Sequence, residues 1–341
     1  MEQFMKKLFG CICALVVAMP ALRATDTLDF YVIDTEGGKA VIIQTPGGEA
    51  MLIDAGNPTR DGRDTKRIVT MAQAIGIKQF DYILATHYDG DHVANITNVD
   101  AQIPGRVFVD HGEILSTATA RGERQNYDAY LKMVGDRKRL SVKPGDRIPL
   151  QGVDMTVVTA AAEVLSKPLP GGGQPNEFCA GAQAEPIDDW DNAGCVGLFC
   201  QFGKFRMLDL ADLLQMVECK LMCPTNLVGT VDLFMVSHHG LKLSNSKMLV
   251  HAVHPKVAIM ANGPRKGGDP AVLDILKSSP GMLDLWQSHF SPNAGDKNAP
   301  ADFIANLEAP CVGKTIKVSA QGDGTFTVTN LRNGFSRTYK P

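Results

Sequence analysis

After its first two dozen residues the sequence has no second long apolar run. It also has no internal repeat, no low-complexity tract apart from one glycine-rich loop, and no strong charge of either sign. With no further stretch near the roughly 18 apolar residues that a membrane helix needs, nothing beyond the N-terminus is a candidate span. Lysines and arginines number 34 against 37 acidic residues, a formal charge of −3. Such a mildly acidic chain is not built to hold nucleic acid by bulk charge, because that binding depends on many cations neutralising phosphates. A nucleic acid therefore enters only as a substrate held locally. What is present is ordinary globular composition, 44% hydrophobic and 21% charged over 341 residues. That excludes disorder and coiled coil, and it suffices for one large α/β domain or two small ones.

The N-terminus, MEQFMKKLFGCICALVVAMPALRATDT, places Lys6 and Lys7 before an apolar stretch from Leu8 to about Leu22, followed by small residues. This is the layout of a secretory signal peptide, expected over residues 1–24, with an uncleaved anchor as the alternative. The expected location is periplasmic or secreted, with no stable membrane insertion after processing. Removing Lys6, Lys7, Arg23 and Glu2 takes away three cations and one anion and moves the charge from −3 to −5. Of eight cysteines, Cys11 and Cys13 lie in this leader. The others are Cys179, Cys195, Cys200, Cys219, Cys223 and Cys311, an even set that permits disulfides in an exported chain. Cys219 and Cys223 could be read as half of a zinc site, but no second pair stands nearby, so structural cysteines are the better reading.

Short apolar runs punctuated by turns (LDFYVID, GGKAVIIQT, PGGEAMLIDAG) read as a meander of strands. DTKRIVTMAQAIGI has helical spacing and stops at Gly76, and FDYILAT reads as a buried strand. A strand RVFVD, a helix NYDAYLKMVG and a strand VDMTVVTA follow, and then an irregular stretch from Ala160 to Gly194 that reads as a flap or an insertion. Order returns with strands CVGLFCQF, FRMLDLA, VDLFMVSHHG and KVAIMANG, helices DLLQMVECKLM, SKMLVHAVH and AVLDILKSS, and C-terminal strands GKTIKVSA and GTFTVTN. Two such blocks suggest two sheets packed face to face with helices outside.

THYDGDHV, residues 86 to 93, sets His87, Asp89, Asp91 and His92 on the turn leaving a buried strand. Strand exits of α/β sheets are where ligands and catalytic groups are presented. Four nitrogen and oxygen donors on one tight turn can converge on a cation, and Gly90 lets the backbone turn sharply. A solvated polar turn has no reason to carry that density of ligand types. Such a cluster needs remote donors, and two strands supply them: FRMLDLAD, ending in Asp209 and Asp212, and VDLFMVSHHG, ending in His238 and His239. His111 also follows a strand, as a ligand or a support to one. His289 is a candidate substrate-side group, and His251 and His254 lie near a helix end, where the helix dipole accounts for them.

In order, D-x-G at Asp54 and Gly56, T-H-Y-D-G-D-H, a strand ending in Asp, and S-H-H-G resemble the metallo-β-lactamase superfamily from Leu28 to about Gly263. The H-x-D-x-D-H motif and the stretch DNAGCVGLFCQFGKFRMLDLAD are most similar to the branch containing the metallo-hydrolase domain of ComEC-type competence proteins. The resemblance implies an α/β fold, a four-layer αββα sandwich, with residues 25–341 as one hydrolase domain. It implies that His87 and Asp89 bind a first metal and that Asp91 and His92 bind a second. Asp212 would bridge the two or bind the second alone, and His238 or His239, with His239 slightly favoured, would supply the last ligand. Asp54 would be a buried acid orienting the motif loop. Two departures stand out: Asp89 replaces the usual second histidine, and the first site's third histidine has no clear counterpart, His111 and Asn192 being candidates. The implied cofactor is zinc, as one or two ions, with manganese as an alternative.

The chemistry expected of that set is hydrolysis by a metal-activated water, with Asp91 both ligating and orienting the nucleophile's proton. Two metals roughly 3.5 to 4 Å apart suit in-line attack on phosphorus, so a phosphoester or other small-molecule substrate is expected, with nucleic acid among the phosphoesters. Arg265 and Lys266, between glycines after a strand, offer cations to an anionic substrate. The alternatives are hydrolysis of an acyl bond (lactam, lactone or thioester), or an exported binding protein that kept the fold and lost catalysis.

Overall fold

In the computed structural model, described over residues 26–59, 61–115, 122–180 and 191–341, two nine-stranded sheets form the centre of the molecule. The expected leader lies outside the described residues. The first sheet begins as an antiparallel meander, with Leu28–Val32, Val41–Gln44 and Ala50–Ile53 side by side, and becomes parallel through Phe80–Leu84, Gly105–Asp110 and Lys138–Ser141. Its other edge is built by Ile316–Ala320, Phe326–Asn330 and Ser336–Tyr339, which pair back onto Leu28–Val32. The second sheet pairs Asp154–Ala160, Gly197–Phe202 and Phe205–Asp209 antiparallel. It then runs parallel through Leu233–Met235, Val257–Met260, Asp284–His289 and Ile304–Asn306.

Three apolar clusters define the layers. The largest lies between the sheets and joins Phe30, Ile43 and Met51 of one to Met155, Leu198, Met207 and Trp286 of the other. The opposite face of the first sheet, with Ile42, Leu52, Ile83 and Phe108, is covered by the helices Arg63–Ala74 and Glu123–Val134 through Ile68, Ala72, Tyr127 and Tyr130. The outer face of the second sheet packs under the helices Gln215–Met222, Lys247–Val253 and Pro270–Lys277 through Val217, Leu221, Leu249, Val253 and Leu273. The order helices, sheet, sheet, helices is the expected αββα sandwich. Strands buried on both faces read as continuous apolar runs, which is why FDYIL and VAIM were recognisable from sequence.

Other elements escaped sequence reading. Lys138–Ser141, Asp284–His289, Ile304–Asn306 and Ser336–Tyr339 are strands without a telling alternation; the first three are held by neighbours further off in sequence, and the last closes a hairpin with Phe326–Asn330. The stretch after Ala160 is less irregular than expected: Gln174–Pro175 pairs with Thr225–Asn226, and Glu177–Cys179 forms a 3₁₀ turn. That turn is pinned by a disulfide between Cys179 and Cys223, while Cys219 is free, so the CxxxC pair is neither a zinc site nor a bond to itself. Residues 181–190 lie outside the described residues. No described helix is long and apolar enough to cross a membrane.

The disulfide closes a loop with a sequence separation of 44, so its removal restores chain entropy to the unfolded state. Replacing Cys179 and Cys223 together by serine is expected to lower unfolding stability by about 2–4 kcal/mol, read from urea denaturation midpoints. Unchanged midpoints would mean that the bond does not restrain the unfolded chain.

Candidate metal centre

The C-terminal ends of the parallel strands of both sheets meet at one edge of the sandwich, and the residues singled out in the sequence come together there. The loop after Phe80–Leu84 is shaped from below by Asp54, whose buried carboxylate accepts the Thr86 amide at 2.9 Å, the Thr86 hydroxyl at 2.7 Å and His92 Nδ1 at 2.8 Å. The loop's backbone is tied across to the first strands by Ala55 N to His92 O at 2.8 Å and Lys39 N to Asp91 O at 3.1 Å. A side chain at Gly38 would put its Cβ 2.5 Å from Asp91 O, so this approach requires glycine. Asp191 holds the other side, accepting the Tyr88 amide at 2.7 Å and facing His111 Nε2 at 3.1 Å.

The remote donors come from the second sheet. Asp212 follows Phe205–Asp209 after Ala211, a left-handed residue whose carbonyl accepts His238 N at 2.9 Å. His238 and His239 are themselves left-handed, with φ 51° and 55°, and they sit on a tight turn after Leu233–Met235. Asn245 holds that turn by accepting Ser237 N at 2.9 Å and donating to Ser237 O at 2.8 Å. Glu218, fully buried, in turn accepts the amides of Asn245 and Ser246 at 2.7 and 2.9 Å. A Cβ at Gly267 would lie 2.0 Å from His239 O, so glycine also closes the turn from the other side.

Hydrogen bonding fixes the imidazole tautomers. His239 Nδ1 lies 2.9 Å from the Ala261 carbonyl and His92 Nδ1 lies against the Asp54 carboxylate; both partners only accept, so both Nδ1 atoms carry the proton. The Thr86 hydroxyl donates to Asp54, so His87 Nδ1, 3.1 Å from that oxygen, donates to it. In the neutral rings all three Nε2 atoms therefore present lone pairs. His92 Nε2 and His239 Nε2 stand 3.3 Å apart, each 3.2 Å from Asp212 Oδ2, and His239 Nε2 is 3.2 Å from Asp91 Oδ2. Donor atoms of these four residues all lie within 4.8 Å of one another. Beside them, His87 Nε2, Asp89 Oδ1, Asn192 Oδ1 and Asp212 Oδ1 are buried without a partner. His238 Nε2 joins this side, 3.6 Å from Asp212 Oδ2 and 3.4 Å from the Asn192 amide.

A dry site lined by acceptors is costly unless a cation satisfies it, and the titration of the site reflects this. Burial opposes ionisation of Asp212 and Asp91, yet the facing imidazoles hold both carboxyls well below the usual range, with Lys266 adding to the effect on Asp91. Burial likewise opposes a charged His92, and Asp212, Asp91 and Asp54 override it, so that a proton on Nε2 takes the place an ion would occupy. Burial takes His238 down to about 4, leaving it neutral and able to ligate. The donor set of imidazole nitrogens, carboxylates and an amide oxygen suits a borderline or hard divalent ion. Asp212 belongs to the group of Asp91, His92 and His239, and on its other side stand His238, 3.6 Å from its Oδ2, and the pair His87 and Asp89, 3.8 Å apart.

Of the residues named from the sequence, Asp91, His92, Asp212 and His239 form one group, with His87, Asp89 and His238 beside it. Asn192 stands where a third first-site donor was sought. His111 instead orients Asp191, and its Nδ1 has no partner. Asp209 is turned away and neutralised by Lys39 in a buried ion pair. His289 points elsewhere, toward Asp34 and Cys311. Lys39, Asp191, Asn245 and Glu218 were missed. Lys39 lies in an otherwise apolar strand segment, and that anomaly was the available signal for it; the other three have none.

Residues 33–174 match the family model described as Metallo-beta-lactamase superfamily. No curated protein sequence matches the chain. Among solved structures it is similar to the Cronobacter sakazakii metallo-β-lactamase with the HARLDQ motif, at 16% identity and TM-score 0.33, covering 54% of this chain and 60% of that one. It is also similar to Zn(2+)-bound PqqB from Methylobacterium extorquens, at 14% identity and TM-score 0.41 over 77% of this chain and 88% of that one. A third is CmlA, a diiron β-hydroxylase from Streptomyces venezuelae, at 14% identity and TM-score 0.39, covering 69% of this chain but 44% of that one.

Asp54→Asn leaves the shape of the buried acid but weakens its grip on His92 and Thr86. Metal affinity is expected to fall roughly 10–100-fold, measured by competition with a chromophoric chelator. An unchanged affinity would mean that the loop needs no such support. Burial pushes Glu218 from its usual 4.5 up to about 7. The folded chain then holds a proton that the unfolded chain releases, so this stabilising contribution is complete below about pH 4.5 and is lost as pH rises through about 7, on the order of 3 kcal/mol in all. Denaturation of the Glu218→Gln variant across that range is expected to lack this decline. The same slope in both proteins would assign it to other groups.

Proposed function

We propose that the protein is an exported metal-dependent hydrolase acting on phosphoester bonds, with nucleic acid among its substrates. One observation carries the hydrolase reading: donor atoms of Asp91, His92, Asp212 and His239, from three chain segments, converge within 4.8 Å of one another, with unpartnered atoms of His87, Asp89 and Asn192 buried beside them. A divalent ion bound there, zinc or manganese, would lower the pKa of a coordinated water and polarise the bond under attack. The residues do the remainder. Asp54, Ala261 and Thr86 hold the imidazoles so that each presents Nε2. Asp91 is the most exposed member of the donor group, and its carboxylate can accept the attacking water's proton. Lys266, whose ammonium lies 2.5 Å from Asp91 Oδ2, places a cation where an anionic substrate would approach.

The phosphoester preference rests on donors standing on both sides of Asp212, a set that two ions suited to in-line displacement would use, on Asp89 in place of a histidine, and on Lys266. Export rests on the leader pattern around Lys6, Lys7 and Leu8–Leu22. Purified protein loaded separately with zinc and manganese is expected to hydrolyse bis(p-nitrophenyl) phosphate or DNA faster than nitrocefin or a lactone. Asp91→Ala is expected to lower kcat by at least about 10²-fold. Faster turnover of the acyl substrates would replace the phosphoester reading. Bound metal with no turnover of any substrate would favour a binding protein.

A further inference from the structure

We propose a second metal site, structural and of zinc type, formed by Asp34, Glu36, His289 and Cys311. None of these residues belongs to the centre described above. Asp34 and Glu36 lie on the turn after the first strand, His289 ends Asp284–His289 in the other sheet, and Cys311 sits in the C-terminal segment. Their donor atoms all fall within 4.8 Å of one another. Cys311 Sγ is 3.1 Å from Asp34 Oδ2, 3.3 Å from His289 Nε2 and 3.7 Å from Glu36 Oε1, and His289 Nε2 is 3.4 Å from Asp34 Oδ2. Tetrahedral zinc, with its sulfur bond near 2.3 Å and its nitrogen and oxygen bonds near 2.0–2.2 Å, sets donors about 3.3–3.7 Å apart along the tetrahedron's edges. Three of the four distances lie within that range, and the fourth, from Cys311 Sγ to Asp34 Oδ2, is about 0.2 Å short of it.

Each donor is also set in place from behind. Asp34 Oδ1 accepts the Glu36 amide at 2.9 Å, which leaves Oδ2 facing the cluster. Arg63 takes Glu36 Oε2 at 2.6 Å, which leaves Oε1 facing it. Asp34 and His289 are fully buried, whereas Glu36 and Cys311 are partly exposed and leave a way in. Arg67 borders the group, with its guanidinium 3.1 Å from Asp34 Oδ2, 3.0 Å from Glu36 Oε1 and 3.3 Å from Cys311 Sγ. Charge closes with it in place: one thiolate and two carboxylates are balanced by one guanidinium and one divalent ion. A thiol proton could serve only one of the three acceptors around Sγ, whereas a bound cation satisfies all of them. Such an ion would clamp the first sheet, the second sheet and the C-terminal segment together. It would also anchor the turn that leads into Gly38 beneath the Asp91 carbonyl.

Cobalt distinguishes this site from the main centre, whose donors include no sulfur. The full chain titrated with Co(II) is expected to develop a near-ultraviolet thiolate-to-cobalt charge-transfer band. That band should vanish in Cys311→Ser and His289→Gln, each of which should bind one ion fewer per chain, and it should persist in His239→Ala. A wild-type chain that binds cobalt without the band overturns the proposal, as does a folded Cys311→Ser variant that keeps it through Cys195, Cys200 or Cys219. Should either variant fail to fold, peptide mapping of the wild-type chain decides. Zinc is expected to slow alkylation of Cys311 at least tenfold relative to chelator-treated protein, and equal rates with and without zinc overturn the site.

Discussion

The architecture of the centre depends on how three imidazoles are held. Each gives its Nδ1 proton to an acceptor fixed by the fold: a carboxylate at His92, a backbone carbonyl at His239, and a hydroxyl already committed as a donor at His87. With the rings neutral, the side each turns inward is a lone pair among carboxylate oxygens. In a dry environment such groups repel one another unless positive charge lies between them. The same outer contacts that make the apo site costly make it selective, because they fix ring orientation before any ion arrives.

Backbone strain is concentrated at the same place. Asp54, Ala211, His238 and His239 all have positive φ, a conformation costing on the order of 1 kcal/mol or more for a residue with a side chain. Each is held by contacts to its surroundings: Asp54 by Thr86 and His92, Ala211 by His238 N, and the histidine pair by Asn245, which Glu218 positions from beneath. Close packing of the two sheets makes this affordable, since a core running from Phe30 to Trp286 fixes the relative height of the strand ends. Without that registration the left-handed turns would relax and the donors would separate.

Buried charge outside the centre follows the same economy. Lys39 is buried, and Asp209 and Asp54 hold it charged against that burial, so a cation stands beneath the donor set without entering it. Arg67 does for Asp34 and Glu36 what Lys39 does for Asp209. In both places a basic residue of the first sheet's half meets acids near a strand end, and in both it ties segments far apart in sequence.

Most of the α/β layering, and the candidates Asp91, His92, Asp212 and His239 that the fold gathers, were legible before the structure, because periodicity and chemistry are local. Buried parallel strands announce themselves as apolar runs, and His87, Asp89, Asp91 and His92 share one turn. What stayed hidden depends on distance. Whether Asp209 or Asp212 faces inward is decided by Lys39 from another strand, and the part played by Asn192 by its approach to His238. The strand Asp284–His289 exists because its neighbours offer a free edge, and its last residue is thereby carried to Asp34 and Cys311 rather than to the donor cluster. The sequence alone determined which atoms could bind a cation. Only the tertiary structure decided which of them meet, because a lone pair acquires direction from the partner behind it, and that partner lies in most cases dozens of residues away.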